Sequence, residues 1–182
     1  MEASIEAKRN KFAIPVKMGI LIAVIKVIFS TIQYKWFLEN WAASMAIVSV
    51  SFLLGLGLLI YTIQLQKKAF GGIISIKEAF QAAFIAILII VSVNFVFDQL
   101  YMRVIDTTMI DRIYAGRADG LKNTPNAATK IEELKKDLAL EKKETLNIGG
   151  LFLLLMKQVI QYSFLGFIFA LVISRNSSVT TQ

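Results

Sequence analysis

The stretch MGILIAVIKVIFS, Met18 to Ser30, is apolar at almost every position and carries one lysine, Lys26, near its middle. With its flanks it is long enough to cross the roughly 30 Å hydrocarbon core of a bilayer, which takes about 20 apolar residues. Inside that core each backbone N–H and C=O must be satisfied within the segment, so a run of this kind is a helix. Three more such runs follow. The spans are placed near Ile14–Gln33, Ala42–Gln64, Ala79–Arg103 and Leu151–Ser174. The predicted fold is an all-α membrane protein, a four-transmembrane-helix bundle.

Composition points the same way. Of the 182 residues 56% are hydrophobic and only 18% charged, and the mean hydropathy of +0.62 is far from that of an ordinary soluble domain. There is no Cys and no His, which excludes disulfides, thiol chemistry, imidazole metal sites and histidine acid/base catalysis. No phosphate-cradling glycine loop is present, and the GLG at 55–57 lies inside the second apolar run. Asp106, Asp111 and Asp119 match neither a calcium loop nor one helical face. We therefore expect no enzymatic activity, no metal and no cofactor.

Orientation follows from the basic residues that flank the spans. Lys8, Arg9, Lys11, Lys17, Lys67, Lys68, Lys77 and Arg175 fall on one side, against Lys35 in the short turn YKWFLENW on the other. The segments 1–13 and 175–182 should both be cytoplasmic. MEASIEAKRNK looks like the start of a secretory signal, but the apolar run after it is too long and ends in aromatics, so the first span is read as uncleaved. Tyr34, Trp36 and Trp41 are the amphipathic rings expected at a headgroup boundary. The net charge of +7 then reflects topology and attraction to anionic lipid, with no role in nucleic-acid binding.

This topology places residues 104–150 outside, in the periplasm. Gly116, Gly120, Pro125 and two asparagines predict an irregular loop in the first part. The second part should hold one helix, opened by a capping box of Thr129 and Glu132 and patterned by Ile131, Leu134 and Leu138. Gly149 and Gly150 mark a hinge before the membrane is re-entered.

Lys26 is not the lone polar residue at depth. Gly19, Lys26, Ser30 and Gln33 share one face of span one, Asn94, Asp98 and Tyr101 one of span three, and Lys157 and Gln161 one of span four, with Gln158 and Tyr162 beside it. At 1.5 Å per residue, Lys26 and Lys157 lie about 10 Å, and Asp98 about 7 Å, below the outer ends of their spans. An unpaired charge at that depth is costly. The expectation is an intramembrane cluster of Lys26, Asn94, Asp98, Lys157 and Gln161, with Asp98 as counter-ion of one or both lysines. The alternative is that each lysine snorkels to the headgroups. In span two, Ser44, Ser51 and Gly55 form a stripe of small residues suited to close helix packing.

The loop LQKKAFGGIISIKEAFQAAFIAILI, with Lys67-Lys68, a Gly-Gly step and Ile-Ser-Ile-Lys-Glu-Ala-Phe, together with the exit DQLYMRVID, resembles a family of small four-span bacterial proteins, found mainly in Bacteroidota and known as a domain of unknown function. That family usually has Asp-Pro after span three, where this chain has Asp106-Thr107. The resemblance implies the fold and a multi-pass location in the bacterial inner (cytoplasmic) membrane, and no activity. In that setting Asp106-Thr107-Thr108 is similar to sites of O-glycosylation on exported segments, with Thr107 as acceptor.

The leading functional expectation is a non-enzymatic accessory or assembly subunit with a membrane protein partner. The alternatives are a handler of an anionic lipid or polyprenyl-phosphate-linked substrate that uses Lys26 and Lys157, partnering a membrane glycosyltransferase, and a small oligomeric transporter.

Overall fold

The computed structural model describes residues 12–145 and 147–175. Lys8, Arg9 and Lys11, with the rest of the first eleven residues, lie outside the described residues, as does the tail from 176. The expectations for the signal-like start and both cytoplasmic ends fall largely there.

Six helices are described: α1 (Ala13–Ile32), α2 (Trp41–Ala69), α3 (Ile76–Leu100), α4 (Met109–Leu121), α5 (Ala127–Thr145) and α6 (Ile148–Arg175). The helices α1 and α3 each run on into a single π-helical turn, Gln33–Phe37 and Tyr101–Ile105. Four stretches are long and apolar enough to cross a membrane: Ala13–Phe37, Trp41–Ala69, Ile76–Ile105 and Ile148–Ser174. Each extends past the predicted limits, because the helical backbone continues into polar and aromatic residues that a hydropathy count leaves out.

Local chemistry explains the helix ends. Pro15 sits in the first turn of α1, where its missing N–H has no intrahelical partner to lose. Asn40 caps α2 by accepting from the Ala43 N–H at 3.0 Å. The Gly71-Gly72 step has φ of +79° and +90°, a conformation open to glycine at little cost. Ser75 and Glu78 then form a reciprocal capping box at the start of α3.

The helix α3 is the centre of the bundle. Ala79, Ala82, Ala83 and Ala86 are all buried along it, and glycines of two neighbours meet this flat strip. A Cβ on Gly19 of α1 would lie 3.1 Å from the Ala86 Cα, and one on Gly166 of α6 would lie 2.8 Å from the Ile87 Cδ1. In lipid, where apolar burial gives little driving force between helices, such small-residue contacts permit close packing. Ile22, Leu59, Ile63 and Val159 complete the core around this helix. At the other end of the bundle from the Tyr34–Trp41 turn, Lys67 donates to the Ile173 carbonyl at 3.3 Å, setting a cation at the C-terminus of α6.

Three expectations are corrected. The first part of the 104–150 segment is not irregular, so the segment contains two helices instead of one. Gly116 and Gly120 lie inside α4 and are contact glycines. A Cβ on Gly116 would sit 3.0 Å from the Leu38 carbonyl oxygen, and one on Gly120 would sit 2.6 Å from the Trp41 ring. These glycines let α4 lie directly across the turn between the first two spans. Met109, Leu38 and Tyr101 form a small second core beneath it. Secondly, α5 begins at Ala127 after Asn126, whose φ is +60°, so Thr129 stands within the first turn and is not an N-cap. Thirdly, Gly149 and Gly150 belong to the first turn of α6; the break comes before them, at Asn147, whose Oδ1 accepts from the Gly149 N–H at 3.1 Å.

Candidate functional site

The polar faces of the spans converge on one cavity of about 420 Å³. It lies in the half of the bundle nearest α4, between the C-terminal parts of α1 and α3 and the N-terminal parts of α2 and α6. From α1 come Lys26 and Ser30, and from its π-helical turn Gln33 and Tyr34; from α2, Ser51 and Phe52; from α3, Asn94 and Asp98; from α6, Gln158, Gln161 and Tyr162.

On α1 the residues Lys26, Ser30 and Tyr34 succeed one another at intervals of four, and Gln33 adjoins them. Helical periodicity alone sets all four on one face. Gln33 donates to the Ser44 hydroxyl at 2.8 Å, tying α1 to α2. Tyr34 donates to Asp98 Oδ1 at 2.9 Å, tying α1 to α3. Its ring also stacks on Phe97, with centroids 6.4 Å apart. Tyr34 was expected among the interfacial rings and is instead half-buried as the partner of Asp98. Its position four residues beyond Ser30 on the polar face was the available signal.

Lys26 lies over the ring of Tyr162, 5.2 Å from its centroid, a cation–π contact worth more away from water. Among the described residues, the ion pairs include neither Lys26 nor Asp98. The two charges share the cavity without touching. Asn94 donates through Nδ2 to the Ile90 carbonyl at 2.7 Å. That bond fixes the amide orientation and leaves Oδ1 buried without a partner among the described residues.

Lys157 does not join the cluster. It is exposed on α6 and does not line the cavity. At 100° per residue it stands about 180° around the helix from Gly166, which packs on α3, so it points away from the bundle. Asp98 therefore has one lysine in its cavity, and the lining charges, Lys26 and Asp98, sum to zero. Gln161 does line the cavity, although its side chain is largely exposed.

The small-residue stripe of α2 separates in the same way. Ser44 and Ser51 are buried, whereas a Cβ on Gly55 would meet nothing within 4 Å. Gly55 instead borders an apolar recess of about 30 Å³ that adjoins the polar cavity and shares Lys26, Phe52, Ile90, Val91 and Tyr162 with it.

Outside the bundle, Arg112 of α4 bridges Glu39 at 2.8 Å and Asp106 at 2.7 Å. Asp106 Oδ1 also accepts from the backbone N–H and the hydroxyl of Thr108, at 3.0 and 2.7 Å. The Thr108 hydroxyl chiefly, with Arg112, holds the Asp106 carboxyl below the ordinary carboxylate range against the opposing effect of partial burial. Thr107 is exposed at this turn.

Fold and site together define a class: a multi-pass helical membrane protein with a half-open polar cavity between its spans. Residues 17–175 match the family described as "Protein of unknown function (DUF4199)", and the chain belongs to that family. No curated protein and no solved structure matches it.

Proposed function

We propose that this is a non-enzymatic protein of the bacterial inner (cytoplasmic) membrane that receives the polar end of a membrane lipid in its intramembrane cavity. One observation carries the reading: a space of about 420 Å³ bearing an acid, a base and several amides lies between four apolar helices. That volume falls within the roughly 300–1,000 Å³ of small-molecule sites. Polar groups placed at such depth are expensive unless something satisfies them. A purely anionic ligand would need both lysines, and Lys157 lies outside the cavity. The topology that accompanies the proposal has both termini in the cytoplasm and α4 and α5 in the periplasm, following the basic loop residues.

The test is purification of the tagged protein from its own membranes in mild detergent, with mass spectrometry of retained lipids and proteins. Under the proposal about one lipid per chain is retained and is lost in Lys26→Met, while Lys157→Met keeps it. Recovery with a stoichiometric protein partner and no lipid would support the second reading, an accessory subunit of a larger membrane complex. What favours that reading is α5, whose described charged side chains are exposed while α4 is anchored to the first turn through Arg112. That arrangement presents an extramembrane helix to a partner.

A further inference from the structure

We propose that the cavity is built for a zwitterion of the phosphoethanolamine type, a phosphate ester carrying a primary ammonium. The phosphate would sit at Lys26 and the ammonium between Asn94 Oδ1 and Asp98. This rests on the polar-cavity reading above and names its ligand.

The two charged groups of the cavity come from different helices, and the acid has a further acceptor beside it. Lys26 presents an ammonium whose contact among the described residues is the Tyr162 ring, leaving its N–H donors for a phosphate. Asn94 and Asp98, four residues apart, share a face of α3 and present acceptors: the buried, unpartnered Asn94 Oδ1 and a carboxylate bonded by Tyr34 at one oxygen. A primary ammonium has N–H groups for both. An anion alone would leave Asp98 facing like charge, and a cation alone would do the same to Lys26.

The order along the bundle also fits. Tyr34, which bonds Asp98, stands eight residues beyond Lys26 along α1 and its π-helical turn, so the acid is held nearer the α4 end of the bundle than the root of the lysine. Lys26 is therefore rooted the deeper and Asp98 the shallower. Beyond Lys26 on the deep side comes the apolar recess beside Gly55. Apolar lining, cation and anion follow in the covalent order of a diacyl lipid with this headgroup: acyl chain, phosphate, ammonium; the recess itself, about 30 Å³, has room for only about one methylene group. Phe52 of α2 and Tyr162 of α6, with ring centroids 6.5 Å apart, pack against each other on this side of the cavity.

The test presents the purified full chain in detergent with an equimolar mixture of phosphatidylethanolamine, phosphatidylcholine and phosphatidylglycerol of matched acyl chains, read by native mass spectrometry. Phosphatidylethanolamine should be retained at least about tenfold over the other two, the effect of one charge-assisted hydrogen bond. Phosphatidylcholine has no N–H for Asn94 and Asp98, and phosphatidylglycerol has no cation. In Asp98→Asn the preference over phosphatidylglycerol should vanish. Competition by soluble phosphoethanolamine would assign recognition to the headgroup from any source, and competition by the diacyl lipid alone would assign it to the membrane lipid; both support the proposal. Equal retention of all three lipids by the wild-type chain overturns it while leaving the polar-cavity reading standing. Retention of none overturns both. The wild-type comparison decides the matter even where the variant fails to fold.

Discussion

The Tyr34 hydroxyl donates to Asp98 across 2.9 Å, joining α1 to α3 at the shallow end of the cavity. The acid is thus held by a phenol, while the lysine of the same cavity rests on an aromatic ring. Tyr34→Phe should destabilise the protein by about 1–3 kcal/mol, the usual effect of leaving a shielded acceptor unmatched. Asp98→Asn keeps an acceptor in place and should be milder. Thermal melts in detergent check this. Equal melting of wild type and Tyr34→Phe would show that the bond contributes nothing to the fold.

Gly116→Ala and Gly55→Ala should differ sharply. At Gly116 the new Cβ meets the backbone carbonyls of Leu38 and Glu39 at 3.0 and 3.1 Å, and backbone yields poorly. We expect a loss of about 1–3 kcal/mol and faster proteolysis of the segment after residue 106. Gly55→Ala enters open space and should leave stability unchanged or slightly raised. Matching effects at the two sites would contradict the packing of α4 across the first turn.

Asp106 makes the anchoring of α4 sensitive to acid. Its carboxyl is held lower in the fold than in the unfolded chain, so its contribution is fully present above the ordinary carboxylate value near 4 and is lost as pH falls through the lower folded value. The effect should be small, because this group lies near solvent. Protease protection of the α4–α5 segment, followed from pH 7 down to about 3, should fall more steeply below pH 4 in the wild type than in Asp106→Asn. Superimposable profiles would rule out Asp106 as a contributor.

The absence of native cysteine makes topology directly measurable. Thr107→Cys and Ile73→Cys, both at exposed positions, should react from opposite sides of the membrane. A maleimide that cannot cross it should label position 107 in intact cells and position 73 after lysis. Labelling of position 73 in intact cells would invert the proposed orientation.

A good deal of this was legible in the chain. Apolar length locates four spans because a bilayer forces the backbone to bond within each one. Period 3.6 places Lys26, Ser30 and Gln33 on one face, and Asn94 with Asp98 on another. The Ser75-x-x-Glu78 start of α3 carries a capping-box signal in the sequence itself. The Gly116 and Gly120 positions misled, since a glycine in a turn and a glycine under a neighbouring backbone look alike in sequence.

What the sequence by itself determined is the order of the polar side chains along each span and which neighbours on the same helix share a face. Tertiary structure alone decided which faces turn toward one another. That rotation is fixed where Gly19 and Gly166 settle against the alanines of α3. It carries Tyr162 and Gln158 inward and Lys157 outward, and leaves the cavity one acid and one base. Order and periodicity are properties of a single helix, whereas the rotation of a helix about its axis is a property of its contacts.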